Sequence, residues 1–339
     1  MGISPASMLC MRGGAWPVAE IPAGCGNQLS FGANDPLNAL QGAVVTTDVE
    51  KSSPYLQERA RVALGLTPSG PHYFFYRHRA WVRVAHWVNA LCLVILLMSG
   101  LNIFNAHPAL YWGDGSNFER PLLMLGAYAD EFGMVDRGVT AIGGHEFSTT
   151  GVLGASKIDG QLTARGFPSW ATLPGPNWLA MARQWHFAFA WILVLNAIGF
   201  IAYGLWSRHF IRDLAPTRRD IAHLGREIAD HARLKFPHGE KAKHYNGLQK
   251  LAYCAVIFVA GPLIVMTGLA MSPTLDAAFP FLPWLFGGRQ SARAIHFLCA
   301  FSFFGFFIVH IAMVILSGSW NNLRSMVTGW YAIKWWDHD

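Results

Sequence analysis

Four stretches of this chain carry no charged side chain, and each is long enough to dictate its surroundings. No Asp, Glu, Lys or Arg occurs between Arg83 and Asp114, between Arg183 and Arg208, between Lys250 and Asp276, or between Arg293 and Arg324. A helix needs about 20 apolar residues to cross the hydrocarbon core of a bilayer. Lipid demands a helix or a closed barrel, because a bare backbone there has no water to bond. The gaps predict four membrane-spanning helices near 84–105, 184–206, 250–272 and 292–317. Composition agrees: 53% of the 339 residues are hydrophobic and only 14% charged. That is too little charge to cover a soluble globule, which excludes a disordered chain, a fibre and an ordinary soluble enzyme. The uncharged segment 277–288 is short and carries Pro280 and Pro283, so it is expected as an interfacial loop.

Orientation follows from the basic residues, which gather on the cytoplasmic side of membrane proteins. Residues 207–249 hold Arg208, Arg212, Arg218, Arg219, Arg226, Arg233, Lys235, Lys241 and Lys243, and Arg77, Arg79 and Arg83 precede the first span. The loop 105–183 holds only five Lys or Arg. Both chain ends are therefore expected in the cytoplasm, with a long periplasmic loop between helices 1 and 2. The net charge of +6 then reflects topology and anionic lipid, with no nucleic acid as partner. Residues 1–70 are rich in Gly, Pro, Ser and Ala and lack the pattern of a signal peptide. They are expected as a disordered or mis-annotated extension, with a short helix at 56–64. The membrane domain is placed at 71–325 and a cytoplasmic tail at 326–339.

Cofactor chemistry is narrowed by what is absent and by what sits inside the spans. Cys10, Cys25, Cys92, Cys254 and Cys299 form no C-x-x-C pair, which argues against iron–sulfur clusters, zinc knuckles and covalently attached haem. Histidines, by contrast, lie within three spans: His86, His186, His296 and His310. Ionisable groups in a membrane default to function, and neutral imidazole is a usual axial ligand of haem iron. His296 and His310 are 14 residues apart, so they share a helix face to within about 40° and differ in depth by about 21 Å. With the expected orientation, His86 matches His310 in depth on the cytoplasmic side, and His186 matches His296 on the outer side. Two b-type haems, each gripped by one pair, would use all four rings. The competing reading has each His as a satisfied polar residue bonded to a neighbouring helix. Gly100, Gly199 and Gly268 would clear room for a macrocycle, or serve ordinary helix packing. Arg79, Arg83, Arg183, Arg289 and Arg293 stand where haem propionates would emerge, or act as membrane anchors. His107 and His209, at span ends, are read as interfacial residues.

The motifs R-V-A-H-W-V-N-A-L (83–91), M-S-G (98–100), W-H-F-A-F-A-W (185–191), Y-N-G-L-Q-K (245–250), M-T-G (266–268), A-I-H-F-L (294–298) and V-H-I (309–311) resemble the bacterial di-haem cytochrome b subunits. These serve nickel–iron hydrogenases, formate dehydrogenases and thiosulfate reductase-like molybdoenzymes. The resemblance covers roughly 77–325. It implies an all-α four-helix bundle in the bacterial cytoplasmic (inner) membrane, a subunit of a respiratory chain. Such a subunit passes electrons between a periplasmic redox partner and membrane quinone, menaquinone or ubiquinone. The quinone site it implies lies beside the cytoplasmic haem, at Asn246 and His310 with Gln249 and Lys250. The long 105–183 loop is closer to the thiosulfate reductase-like branch, so a molybdopterin oxidoreductase is the favoured partner and a hydrogenase the next. The histidines of the cytoplasmic loop, His209, His223, His231, His238 and His244, are read as part of a solvated basic segment. The rival functions are a stand-alone superoxide or ferric:quinone oxidoreductase, which needs no partner, and a histidine-using metal transporter, which would show no Soret band.

Overall fold

In a computed structural model of the chain, the structure describes residues 72–175, 177–208, 210–233 and 246–334. The expectations for residues 1–70, including the helix at 56–64, and those for His209, His238 and His244 fall outside these residues.

Four helices are long and apolar enough to cross a membrane: α1 (Ala80–Phe104), α2 (Leu179–Trp206), α4 (Gly247–Ala270) and α7 (Arg289–Leu316). All four expected spans are present, and each starts three to five residues before the expected position. The N-terminal turns take in the flanking basic residues that the charge gaps left outside, Arg83, Arg183, Lys250 and Arg293. Large apolar side chains such as Leu91, Leu195, Val259 and Ile308 remain exposed on their outer faces, as lipid-facing helices require. Helix α4 contains a π-helical stretch, Ala255–Ala260, directly before Gly261 and Pro262. Proline cannot donate to the ladder, and a widened turn accommodates the missing bond.

The bundle consists of two helix pairs. Helix α1 packs along α2, and α4 along α7, while the pairs touch each other only sparsely. Close approach of α1 to α2 comes from small buried residues seven apart: Ala85, Cys92 and Ser99. Such positions let backbones approach in lipid. Asn196 of α2 adds polar bonds to the Ala85 carbonyl at 3.0 Å and to the Asn89 side chain at 2.8 Å.

The structure corrects the all-α expectation in the segment between α1 and α2. Instead of a plain loop, this segment is a β-folded insert. Strands β2 (Ala109–Leu110), β3 (Leu123–Ala129), β4 (Val135–Ile142) and β5 (His145–Ser148) form one antiparallel sheet, and β6 (Ala155–Ile158) pairs with β7 (Gln161–Ala164). Two of its turns are two-residue hairpins. Gly143 and Gly144 have φ of 56° and 87°, and Asp159 and Gly160 have φ of 50° and 82°. Positive φ at both central positions gives the turn whose twist matches the flanking strands. The insert is fastened to the bundle. Phe104, Leu110, Leu125, Phe167 and Ala294 form one buried cluster, joined by Phe297 and Phe301. Asn105, just past α1, bonds the backbone of Phe167 in both directions, accepting from its N–H at 2.6 Å and donating to its carbonyl at 3.2 Å. Asn102 donates to the carbonyls of Leu173 and Gly175 at 3.0 and 3.1 Å.

At the opposite end, β1 (His72–Tyr76) pairs antiparallel with β8 (Trp330–Lys334). The expected tail beginning at 326 is thus partly ordered: α8 (Ser319–Thr328) runs across that boundary and leads into β8. Arg83 and Trp87 of α1 donate to the carbonyls of Val327 and Met326. The segment 277–288 also departs from a plain loop, carrying the end of one short helix, α5 (Pro273–Ala278), and the whole of another, α6 (Phe281–Leu285). Between α2 and α4, helix α3 (Arg218–Ala232) leans on the start of α4.

Candidate functional site

The sparse seam between the two helix pairs is where the four membrane histidines meet. The ring centroids of His86 on α1 and His310 on α7 are 6.1 Å apart, and those of His186 on α2 and His296 on α7 are 6.3 Å apart. No histidine of the four is left over, and the pairing is the one that depth alone predicts. Helix α7 supplies one ring to each pair. The 14 residues between them correspond to about 21 Å of helix.

The separation of the rings is itself a test of what they can hold. A metal–imidazole nitrogen bond is about 2.0 Å, and the bonded nitrogen lies about 1.1 Å from its ring centre. Two rings gripping one metal atom from opposite sides therefore place their centres about 6.3 Å apart, the spacing of both pairs. Among the described residues, no three His, Cys, Asp or Glu side chains cluster to hold a bare metal ion. The donor set is two imidazoles per site in an apolar seam, which suits a bis-histidine haem.

The hydrogen bonds around the insert-side pair assign the tautomer of both rings. His296 Nδ1 lies 3.0 Å from the Ile264 carbonyl, which only accepts, so Nδ1 carries the proton. Thr267 gives its own hydroxyl proton to the Leu263 carbonyl at 2.7 Å and presents its oxygen to His296 Nδ1 at 3.1 Å. On α1, Ser99 does the same: its hydroxyl donates to Ile95 at 2.6 Å and faces His186 Nδ1 at 3.1 Å. In both rings the Nε2 lone pair is left for a metal. His86 differs, since its buried Nδ1 has no hydrogen-bond partner among the described residues. The hydroxyls of Ser99 and Thr267 were missed as functional groups in the sequence, although they sit in the quoted M-S-G and M-T-G motifs.

The expected glycines divide. A Cβ on Gly100 would lie 3.3 Å from His186 Cε1, and one on Gly268 would lie 3.3 Å from His296 Cε1. Both leave space for an imidazole edge. Gly199 instead makes room for Trp81, whose Cζ2 would lie 3.2 Å from an added Cβ, a helix-packing contact.

The arginines sit at the two rims of the seam. Arg79 donates to the Tyr203 hydroxyl at 3.3 Å, and Arg83 to the Val327 carbonyl. Arg183 lies over the Phe187 ring. Arg289 donates to the Met271 carbonyl at 2.8 Å and Arg293 to the His107 carbonyl. Arg289, Arg293, Gln290, Asp114, Ser116 and Met271 line a cavity of about 400 Å³. Arg293, in its wall, lies about one helical turn before His296. His107 packs its ring against Tyr111 and Phe118, with centroids at 5.6 and 5.8 Å. Burial first, then the Arg293 charge, holds the His107 imidazole below its ordinary pKa. It joins neither histidine pair.

The residues expected at a quinone site have structural roles at the start of α4. Asn246 accepts from the Gln249 N–H at 2.8 Å, and Gln249 Oε1 accepts from the Asn246 N–H at 3.3 Å, a reciprocal helix cap. Lys250 pairs with Asp220 of α3 at 2.9 Å. The Leu248 N–H donates to Glu227 of α3 at 2.8 Å. His223 Nδ1 donates to the Arg219 carbonyl at 2.8 Å.

Comparison with known proteins gives two findings. The profile of the prokaryotic cytochrome b561 family matches residues 77–329. A curated relative from Azospira oryzae, described as a putative protein-methionine-sulfoxide reductase subunit YedZ1, is 27% identical over 241 residues, covering 70% of this chain and 90% of the relative. No solved structure matches.

Proposed function

The chain belongs to the prokaryotic cytochrome b561 family, and from that membership we propose that it is a di-haem cytochrome b subunit carrying electrons across a bacterial cytoplasmic membrane. The observation that carries this reading is that the four membrane histidines face one another in two pairs, with ring spacings of 6.1 and 6.3 Å that are close to the span of a bis-imidazole metal. His86 and His310 would hold one haem b, and His186 and His296 the other. When bound, haem b supplies reversible one-electron transfer at its iron. The protein's part is to bind, orient and insulate. Two helix pairs leave a seam wide enough for a flat ligand, Gly100 and Gly268 let the rings stand close to the backbone, and Ser99 and Thr267 fix the tautomer. Arg289 and Arg293 would receive carboxylates at the insert-side rim, where charge-assisted bonds are strongest.

The direction of the basic residues supports a periplasmic insert and a cytoplasmic α3. A redox partner would then dock on the insert side. The curated relative is named as a subunit of a protein-methionine-sulfoxide reductase, which favours an oxidoreductase partner over a stand-alone enzyme. A molybdopterin enzyme remains the proposed partner type. Membrane quinone would exchange electrons beside His310, near the capped start of α4 with Asn246, Gln249 and Lys250.

The test is spectroscopic. Reduced-minus-oxidised spectra of the purified full chain should show b-type haem at two per chain. His186→Ala and His296→Ala should each remove the same haem, and His86→Ala and His310→Ala the other. One haem per wild-type chain, or different haems lost from one pair, would overturn the reading.

A further inference from the structure

The two helix pairs carry the same local device, and only one of the two histidine pairs has it. On α1 the sequence L-M-S-G-L (97–101) and on α4 V-M-T-G-L (265–269) present a hydroxyl followed by a glycine. Each hydroxyl gives its proton to the carbonyl four residues back, Ile95 at 2.6 Å and Leu263 at 2.7 Å. Each oxygen then faces an imidazole Nδ1 of the paired helix at 3.1 Å. On α4 the carbonyl three residues back adds a second acceptor, Ile264 at 3.0 Å from His296 Nδ1. Ser99 and Thr267 are both 0% exposed, so water does not compete for these bonds. The glycine after each hydroxyl leaves the ring its place, with the same 3.3 Å clearance on both helices.

Among the described residues the other pair has nothing equivalent. His86 Nδ1 is buried with no partner among the described residues. The His310 ring stacks on Phe306, with centroids 5.9 Å apart and planes 13° apart.

From this asymmetry, and resting on the two-pair reading above, we propose that Ser99 and Thr267 are positioning residues that set the two haems to different potentials. A ring whose Nδ1–H is held by an acceptor carries more electron density on Nε2 and is a stronger donor. A stronger donor favours the ferric over the ferrous state. The iron held by His186 and His296 therefore has the lower midpoint potential, and the iron held by His86 and His310 the higher. Added electrons rest first on the side away from the insert.

The experiment is a potentiometric titration of the full-length protein in detergent, with the two steps assigned in His310→Ala, which leaves only the insert-side haem. Hydrogen-bond partners of metal ligands tune ligand basicity, and a tenfold change in the ferric-over-ferrous preference is about 59 mV for a one-electron couple. Thr267→Val, which keeps shape and removes the hydroxyl, and Ser99→Ala should each raise the lower midpoint by about that amount and leave the upper one in place. Thr267→Ser should restore the wild-type value. Equal shifts of both couples, no shift in either variant, or a Thr267→Ser value matching Thr267→Val would overturn the inference. Haem per chain, measured on the same samples, separates the two levels of the argument. Fewer than two in the wild type sinks the two-pair reading, whereas two haems with unmoved potentials sink only the role of the hydroxyls.

Discussion

Adding bulk at Gly268 or Gly100 should strip the protein of one haem and spare the other. A Cβ at either position would stand 3.3 Å from the Cε1 of the facing imidazole. Carbon atoms settle at about 3.5–4.0 Å, so alanine asks the ring to retreat by about 0.2–0.7 Å, a shift the seam can absorb. Valine adds two further methyl carbons on the same atom, while Nδ1 of His296 is tied at 3.0 Å to Ile264 and at 3.1 Å to Thr267. Overpacking of this kind costs about 1–3 kcal/mol, and each 1.4 kcal/mol is tenfold in affinity. If the strain is released by swinging the ring out of line, affinity at that pair falls by about 5- to 150-fold. The control is Gly305→Val on the same helix as His296, because a Cβ at Gly305 meets no atom within 4 Å. The assay is haem retained per chain against an excess of a haem-scavenging apoprotein. Gly268→Val and Gly100→Val should drop from two haems towards one, with the alanine variants and Gly305→Val close to wild type. Retention of both haems at the wild-type rate in the two valine variants, or equal loss from Gly305→Val, would refute the reasoning.

Two further predictions concern the parts that frame the site. The Asp220 carboxyl is held below its ordinary range, first by the Thr217 N–H at 2.8 Å and next by Lys250 at 2.9 Å. Its folded value thus lies under the unfolded value of about 3.9, so its contribution is complete above about pH 4 and is lost as pH falls through the folded value. The pair is partly buried, with Lys250 and Asp220 side chains 15% and 19% exposed. Hydrogen exchange of the Thr217 amide should show protection at neutral pH that fades in acid, and Asp220→Asn should abolish that dependence; equal protection in both proteins at every pH would contradict the assignment. Arg165, buried in the insert, donates to the Phe167 carbonyl at 2.6 Å and to the Thr172 hydroxyl at 3.2 Å. Bonds to a charged donor are worth about 1.5–3 kcal/mol, so Arg165→Ala should make the insert markedly more susceptible to limited proteolysis, and an unchanged cleavage rate would show that these bonds do not hold it.

The spans and the matching of ring depths were legible because both follow from one-dimensional rules. An uncharged run of fixed length crosses a bilayer, and 1.5 Å per residue converts spacing into depth. The insert was not read, although part of it was readable. Gly143-Gly144 and Asp159-Gly160 are two-residue hairpin signals, obscured by strands of only four to eight residues. The pairing of β1 with β8 joins residues more than 250 positions apart, and no local period announces it. The hydroxyls of Ser99 and Thr267 were hidden for a different reason. Small polar residues in a membrane helix commonly bond their own backbone, as both do here. Only the placement of a neighbouring helix reveals that the same oxygen also meets a ring.

Helix α7 contributes a ring to both pairs, and it is the last of the four spans to leave the ribosome. A polypeptide halted after α4 has His86 and His186 facing no partner, so neither ring pair can form until translation is nearly finished. Premature termination ahead of α7 would therefore leave neither ring pair assembled.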